Sequence, residues 1–258
     1  MQTHRCQKIL LSVILLLSSC NINQKNNTTI YATEKFDTKL IDSLKQKAIS
    51  TNGFYYETEK LHHYLRIEYV DEDGSFVRAE ERDLETDIAS INVYYPTPTF
   101  LVVTKEYYPG NRALGIEKQF VGAVPVGKTR YYDKKGNLLQ EIDEDKKFGK
   151  IKIEDILRFL EKEKHLDLKT GKGWYDCAWY EENSREDDGD FIFGGGTLID
   201  VAFVPSQESV LLEDDIPSMW YITIKAYNYP YIYTDYIING DTGEVLKKRE
   251  EQRIPDEL

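Results

Sequence analysis

Residues Gly122–Thr129 read GAVPVGKT and fit G-x-x-x-x-G-K-[ST], the pattern whose loop amides and lysine hold nucleotide phosphates. That chemistry needs a buried strand before the loop and a helix after it, because helix N-terminal amides complete the phosphate cradle. Here Thr129 is followed by Arg130-Tyr131-Tyr132-Asp133-Lys134-Lys135-Gly136-Asn137. Paired tyrosines favour strand, Asp133 to Asn137 is turn chemistry, and no helix fits between them. Pro125 removes one amide from the loop itself. The letters therefore predict a strand–turn–strand unit with Lys128 as a solvated strand residue. No nucleotide is expected.

Other reactive side chains are sparse. His62 and His63 are adjacent and, read as strand residues, point to opposite faces, so they cannot chelate one metal together. His165 falls at the end of a helical pattern, where the helix dipole favours a cation. Cys177 has no histidine near it in sequence and reads as a buried strand residue. Asp71 to Gly74 and Glu80 approach the calcium-loop pattern, but Tyr69 stands where its first aspartate must be. Glu181–Asp190 carries many carboxylates without ligand periodicity and reads as a solvated loop. No catalytic residue, cofactor or metal ligand is expected. A cleft with two or more buried, pKa-shifted carboxylates would reverse that expectation.

The N-terminus points to export. Arg5 and Lys8 precede Ile9–Leu17, ILLSVILLL, an apolar run of signal-peptide length. It is too short to cross ~30 Å of hydrocarbon, which takes roughly 20 helical residues. The run ends in Leu17-Ser18-Ser19-Cys20, which resembles the lipobox of bacterial lipoproteins. The resemblance implies cleavage before Cys20, acylation of its thiol and new amine, and partnership with a lipid bilayer. Two or three acyl chains make a stable anchor where one holds weakly. Asn21 after the cysteine implies, by the enterobacterial sorting rule, the outer membrane. The sequons at Asn26 and Asn27 and the Pro255–Leu258 end suggest the endoplasmic reticulum, but proline replaces the basic residue that retention requires. With Cys6 lost and Cys20 acylated, Cys177 alone remains, so no internal disulfide is expected. Loss of Arg5 and Lys8 leaves 31 basic against 45 acidic residues, a formal charge of −14. That disfavours nucleic acid and anionic lipid surfaces as partners. It would suit a basic protein partner, although solubility is itself a sufficient reason for it.

The remaining elements follow from periodicity. Residues 1–19 form the signal peptide and 20–33 a polar tether. Phe36, Leu40, Ile41, Leu44 and Ala48 recur at helical spacing, with Asn52-Gly53 as the stop. Period-two patterning from Phe54 to Asp143 predicts a β-meander. Strands fall at Leu65–Tyr69, Ser75–Arg82, Ile91–Tyr95, Phe100–Tyr108, Ile116–Val121, Lys128–Tyr132 and Asn137–Ile142. Ile153, Ile156, Leu157 and Leu160 mark a second helix. Strands are then expected at Trp174–Tyr180, Phe191–Phe193, Thr197–Val204, Trp220–Tyr227, Tyr231–Ile238 and Glu244–Lys248. The fold class is α+β, an antiparallel β-rich meander with two principal helices. A boundary near Phe148-Gly149 separates 34–148 from 149–258, either as two sub-domains or as one body.

Two segments resemble known modules. Tyr107-Tyr108-Pro109-Gly110-Asn111, Phe120, Gly122, Gly127, Tyr131-Tyr132-Asp133 and Gly136-Asn137-Leu138 resemble the MORN-like hairpin repeats of Bacteroidetes proteins, with Thr129 where an aromatic is usual. The resemblance implies that Gly122 and Gly127 bracket a hairpin loop and that Gly136 makes a tight turn. Tyr231–Leu246, YIYTDYIINGDTGEVL, resembles the last hairpin of PepSY domains, which implies an extracytoplasmic, non-catalytic binding or inhibitory module. With 19 tyrosines in the chain, adjacent pairs must place some rings outward. Tyr107, Tyr108, Tyr131 and Tyr132 are the expected binding surface, unless they serve cross-strand packing. The expected function is a lipid-anchored envelope protein that acts by binding, of immunity or inhibitor type. The alternatives are a structural or assembly lipoprotein and, after that, a hydrolase.

Overall fold

The computed structural model describes residues 34–58, 63–82, 88–174, 198–206, 217–226 and 232–253. The signal peptide, Cys20 and the tether lie outside the described residues. So do His62, Cys177, the acidic run 181–190, the strand expected at 174–180 beyond its first residue, and the strand expected at 191–193.

Helix α1 (Thr38–Ser50) begins where the Asp37 carboxylate accepts from the Leu40 amide at 3.0 Å, a side-chain N-cap. It ends where Asn52 turns left-handed at φ 55°. Its stripe of Ile41, Leu44 and Ala48 is buried. Eight strands follow as a sequential antiparallel meander. They are β1 (Phe54–Thr58), β2 (Tyr64–Val70), β3 (Phe76–Glu81), β4 (Ala89–Tyr94), β5 (Leu101–Tyr107), β6 (Leu114–Val121), β7 (Val124–Tyr132) and β8 (Leu138–Asp143). Alternation places Leu65, Ile67, Val77, Ala79, Ala89 and Ile91 on one face, where they form a core with α1.

After a 3-10 turn (Glu144–Lys147), helix α2 (Ile153–Lys162) starts with the Lys152 amide donating to Asp155 Oδ2 at 2.9 Å. It buries Ile153, Ile156, Leu157 and Leu160. These pack on a second antiparallel sheet of order β12-β11-β10-β9, made of β9 (Ile199–Val204), β10 (Met219–Lys225), β11 (Ile232–Asn239) and β12 (Val245–Gln252). At Gly149 an added Cβ would lie 2.5 Å from the Gly240 carbonyl, so only glycine lets this connection pass the β11–β12 turn.

The α+β class is as expected, and the sheets are separate in hydrogen bonding. The expected boundary at Phe148-Gly149 falls between the 3-10 turn and α2. A shared core spans it all the same, because Val121, Val124 and Val126 pack with Phe148, Trp220 and α2. Strands β7 and β12 exceed expectation most, by four residues each: β7 begins at Val124 rather than Lys128, and β12 runs on from Lys248 to Gln252. In β12 nearly every side chain is exposed, so it carries no burial alternation from which its length could be read.

Candidate functional site

The phosphate-motif letters form a hairpin. Gly122, at φ 61°, and Ala123 are the two turn residues between the paired Val121 and Val124. Gly127 does not bracket that loop. It sits inside β7 at a register shift, with φ 60°, and its amide donates to Asp145 Oδ1 at 2.9 Å. The hairpin loop is two residues long because the strand pairing continues past Gly127 to the turn. Lys128 Nζ binds Glu141 at 2.6 Å, and buried Thr129 donates to Glu144 at 2.8 Å. The amide, cation and hydroxyl that would face a phosphate are all committed to carboxylates.

The four tyrosines do not share a surface. Tyr107 is 1 % exposed and Tyr132 is 7 % exposed, and both belong to the α1 core, which corrects their assignment to a binding face. The Tyr107 ring packs 5.4 Å from Phe36, and its hydroxyl donates to the Glu34 carboxylate. Burial, followed by that carboxylate, drives the phenol far above its ordinary value. Tyr108 donates to the Tyr132 carbonyl at 2.6 Å and lies against Gly115, where an added Cβ would come within 3.1 Å of its ring. Tyr131 is half-buried and opposite Ile116 and Gln140. Alternation dictates that one ring of each pair turns inward. Only the packing of α1 selects which.

Histidine geometry also departs from expectation. His63 precedes β2 rather than lying within a strand, and its Nε2 is 3.1 Å from Glu81 Oε2. His165 lies beyond the α2 C-cap, Glu163, with Nε2 2.9 Å from the Tyr236 hydroxyl. Burial first, and then the Lys248 ammonium, lowers its pKa, so it is a neutral partner of Tyr236 rather than a dipole-stabilised cation.

Two buried carboxylates were not legible as sites. Glu81, 2 % exposed, receives the Arg112 fork at 2.9 and 2.6 Å. Glu68, also 2 % exposed, takes Arg66 at 2.9 Å and Arg78 at 2.5 Å, while its Oε2 has no partner. Arg66 and Glu68 stand two residues apart on one strand face and Arg78 is opposite Glu68, so the register brings them together. Each carboxylate is held by guanidinium groups, which favours structural anchoring over proton transfer.

The second face of the eight-stranded sheet, away from α1, has rows that the register makes explicit. Val70, Phe76, Tyr94, Val102, Phe120 and Pro125 are successive cross-strand neighbours, an apolar row crossing six strands. Beside it runs a polar row of Glu68, Arg78, Asn92, Thr104 and Lys118. Val70 is exposed, Phe76 buried, and Tyr94, Val102, Phe120 and Pro125 half-buried. Two concavities among the described residues are small by comparison. One of about 240 Å³ lies over Tyr221, Ile237 and Arg249, and another of about 150 Å³ beside Phe148 and Lys152. Sites for drug-sized molecules run from roughly 300 to 1,000 Å³. Among the described residues, no three His, Cys, Asp or Glu side chains are placed to hold a metal, and no helix is long and apolar enough to cross a membrane.

The molecule is thus an α+β protein of two antiparallel sheets, with a mixed apolar and charged sheet face as its broadest candidate site. In comparisons with known proteins, the chain matches no family model, no curated protein and no solved structure.

Proposed function

We propose that this chain is a lipid-anchored protein of the bacterial envelope that acts by binding another macromolecule, as an immunity- or inhibitor-type protein does. The leader and Leu17-Ser18-Ser19-Cys20 supply the anchor, the acyl chains on Cys20 supply the membrane contact, and an outer-membrane location follows from Asn21. The observation that carries the binding reading is the apolar row from Val70 to Pro125 beside the row from Glu68 to Lys118. Apolar and aromatic side chains bordered by charged ones are the composition of protein interfaces. A basic protein partner suits the formal charge of −12 for the whole chain. The MORN-like and PepSY-like segments fit this reading as modules that support an exposed face.

The experiment has two arms. Growth with a palmitate analogue should label the parent chain and not Cys20→Ser, and the parent should fractionate with membranes. Capture from envelope extract with the parent, against Val102→Glu and Phe120→Glu, should lose the same partner with both variants. A parent found unlabelled and soluble inside the cell refutes the anchor. Capture unchanged by both variants refutes the face.

A further inference from the structure

Among the described residues, four strands stand at sheet edges: β1, β8, β9 and β12. Of these, β12 is the longest, and it is exposed along almost its whole length on both faces. Among the described residues, no strand pairs with its outer side. A bare edge of eight residues presents unpaired amides and carbonyls, which proteins commonly protect with charges or else use for strand addition. The order of charges on β12 separates these two uses.

The strand reads Val245-Leu246-Lys247-Lys248-Arg249-Glu250-Glu251-Gln252. We propose that β12 pairs edge to edge, antiparallel, with β12 of a second copy of this chain, about a two-fold axis at Arg249. Such an axis stands perpendicular to the joined sheet, so opposed side chains must share a face, and only registers centred on a residue are allowed. Centring on Arg249 opposes Lys247 to Glu251 and Lys248 to Glu250, each twice. Centring on Lys248 opposes Lys247 to Arg249 twice and Lys248 to itself. Centring on Glu250 opposes Arg249 to Glu251 twice, but Lys247 to Arg253 twice and Glu250 to itself. The Arg249 register instead sets four opposite-charge pairs against one like pair at the axis. One register is favoured over its neighbours.

Existing ion pairs agree with this register. Lys248 binds Glu163 at 3.2 Å, and Glu251 pairs with Arg249 and, at 2.5 Å, with Arg253. Lys247 and Glu250 have no ion-pair partner among the described residues. In the Arg249 register each of these two gains one. The pair of Arg249 side chains at the axis is met by Glu251 of both copies. The partner is therefore a second copy, and the product is a continuous eight-stranded sheet across the dimer.

The test uses the full chain in detergent. Sedimentation equilibrium should show a reversible dimer that weakens with salt. Lys247→Glu should weaken dimerisation at least tenfold, whereas Lys225→Glu, at the end of β10 away from the edge, should leave it unchanged. In a Cys6→Ser, Cys177→Ser background, which by itself sets the baseline, Arg249→Cys should form a disulfide dimer under mild oxidation. Lys247→Cys should do so only when mixed with Glu251→Cys, because opposed positions alone bring Cα atoms to ~4.5–5.5 Å. A chain monomeric at every concentration overturns the proposal and leaves the charges as edge protection. Equal self-cross-linking at 247 and 249, or a dimer indifferent to Lys247→Glu, also overturns it.

Discussion

The Arg112–Glu81 fork is the sharpest place to test the structural reasoning. Arg112 lies in the β5–β6 turn, its amide bonded to the Tyr108 carbonyl at 3.0 Å, and its guanidinium reaches the last residue of β3. Replacing it by methionine keeps most of the stem's volume and the left-handed backbone at φ 53°, so strain largely cancels between parent and variant. What remains is a carboxylate 2 % exposed with His63 as its one other partner among the described residues. Breaking a buried pair by removing one partner costs roughly 3–5 kcal/mol. Because 23 % of the Arg112 side chain is exposed, water gains partial access and the lower end, about 3 kcal/mol, applies. For a body of this size that lowers Tm by about 6–12 °C. Urea denaturation followed by tryptophan fluorescence should show a lower midpoint at unchanged slope. Adding Glu81→Gln removes the stranded charge and should recover about half of the loss, a coupling within the usual range for residues in contact. If Arg112→Met alone falls within ~1 kcal/mol of the parent, Glu81 is stabilised by something other than this fork, and the reasoning fails.

Three further outcomes follow. Gly173→Ala should be severely destabilising, since the new Cβ would sit 2.0 Å from the His165 carbonyl at φ 98°. Gly110→Ala, at φ 77° with nothing within 4 Å, should cost only ~1–2 kcal/mol of backbone strain, and paired thermal melts compare the two. The folded-state pKa of His165 lies below its ordinary value of 6.5, so the unfolded chain takes up its proton first. The stability this group contributes is present above about pH 6.5 and is lost as pH falls through that value toward the folded one. His165→Gln should therefore flatten the fall in Tm between about pH 7.5 and 5.5, and an unchanged slope would refute it. Finally, Tyr107→Phe should cost roughly 1 kcal/mol, because Lys105 still serves Glu34 at 2.7 Å. In the parent, ultraviolet titration should find a tyrosine component that ionises only on unfolding, and Tyr107→Phe should reduce that component by one residue.

The helices were legible through apolar residues at helical spacing and, for α1, through the Asn52-Gly53 stop. The Asp37 and Asp155 caps at their starts were not read from the letters and emerged from the structure. The meander was legible through period-two alternation and short turns such as Asp71–Gly74, where Gly74 adopts φ 84°. The candidate face was not. Tyr107 and Tyr108 are identical as letters, and so are Tyr131 and Tyr132. Which one meets α1 depends on a helix more than fifty residues away. His165 misled for the same reason: its sequence position suggested a cation, and burial beside Tyr236 made it neutral.

By itself, then, the sequence determined the class, the two helices, the stop of α1 and the failure of GAVPVGKT to open a helix. Those are local matters, fixed by propensity, turn chemistry and hydrophobic period within about ten residues of chain. Tertiary structure alone decided that Val121, Val124 and Val126 join a core with α2 and that Glu68 meets Arg78 across a strand pair. It also decided that six apolar side chains line up from Val70 to Pro125. Register sets all three, and register depends on how several strands bury their faces together, a property no single strand carries.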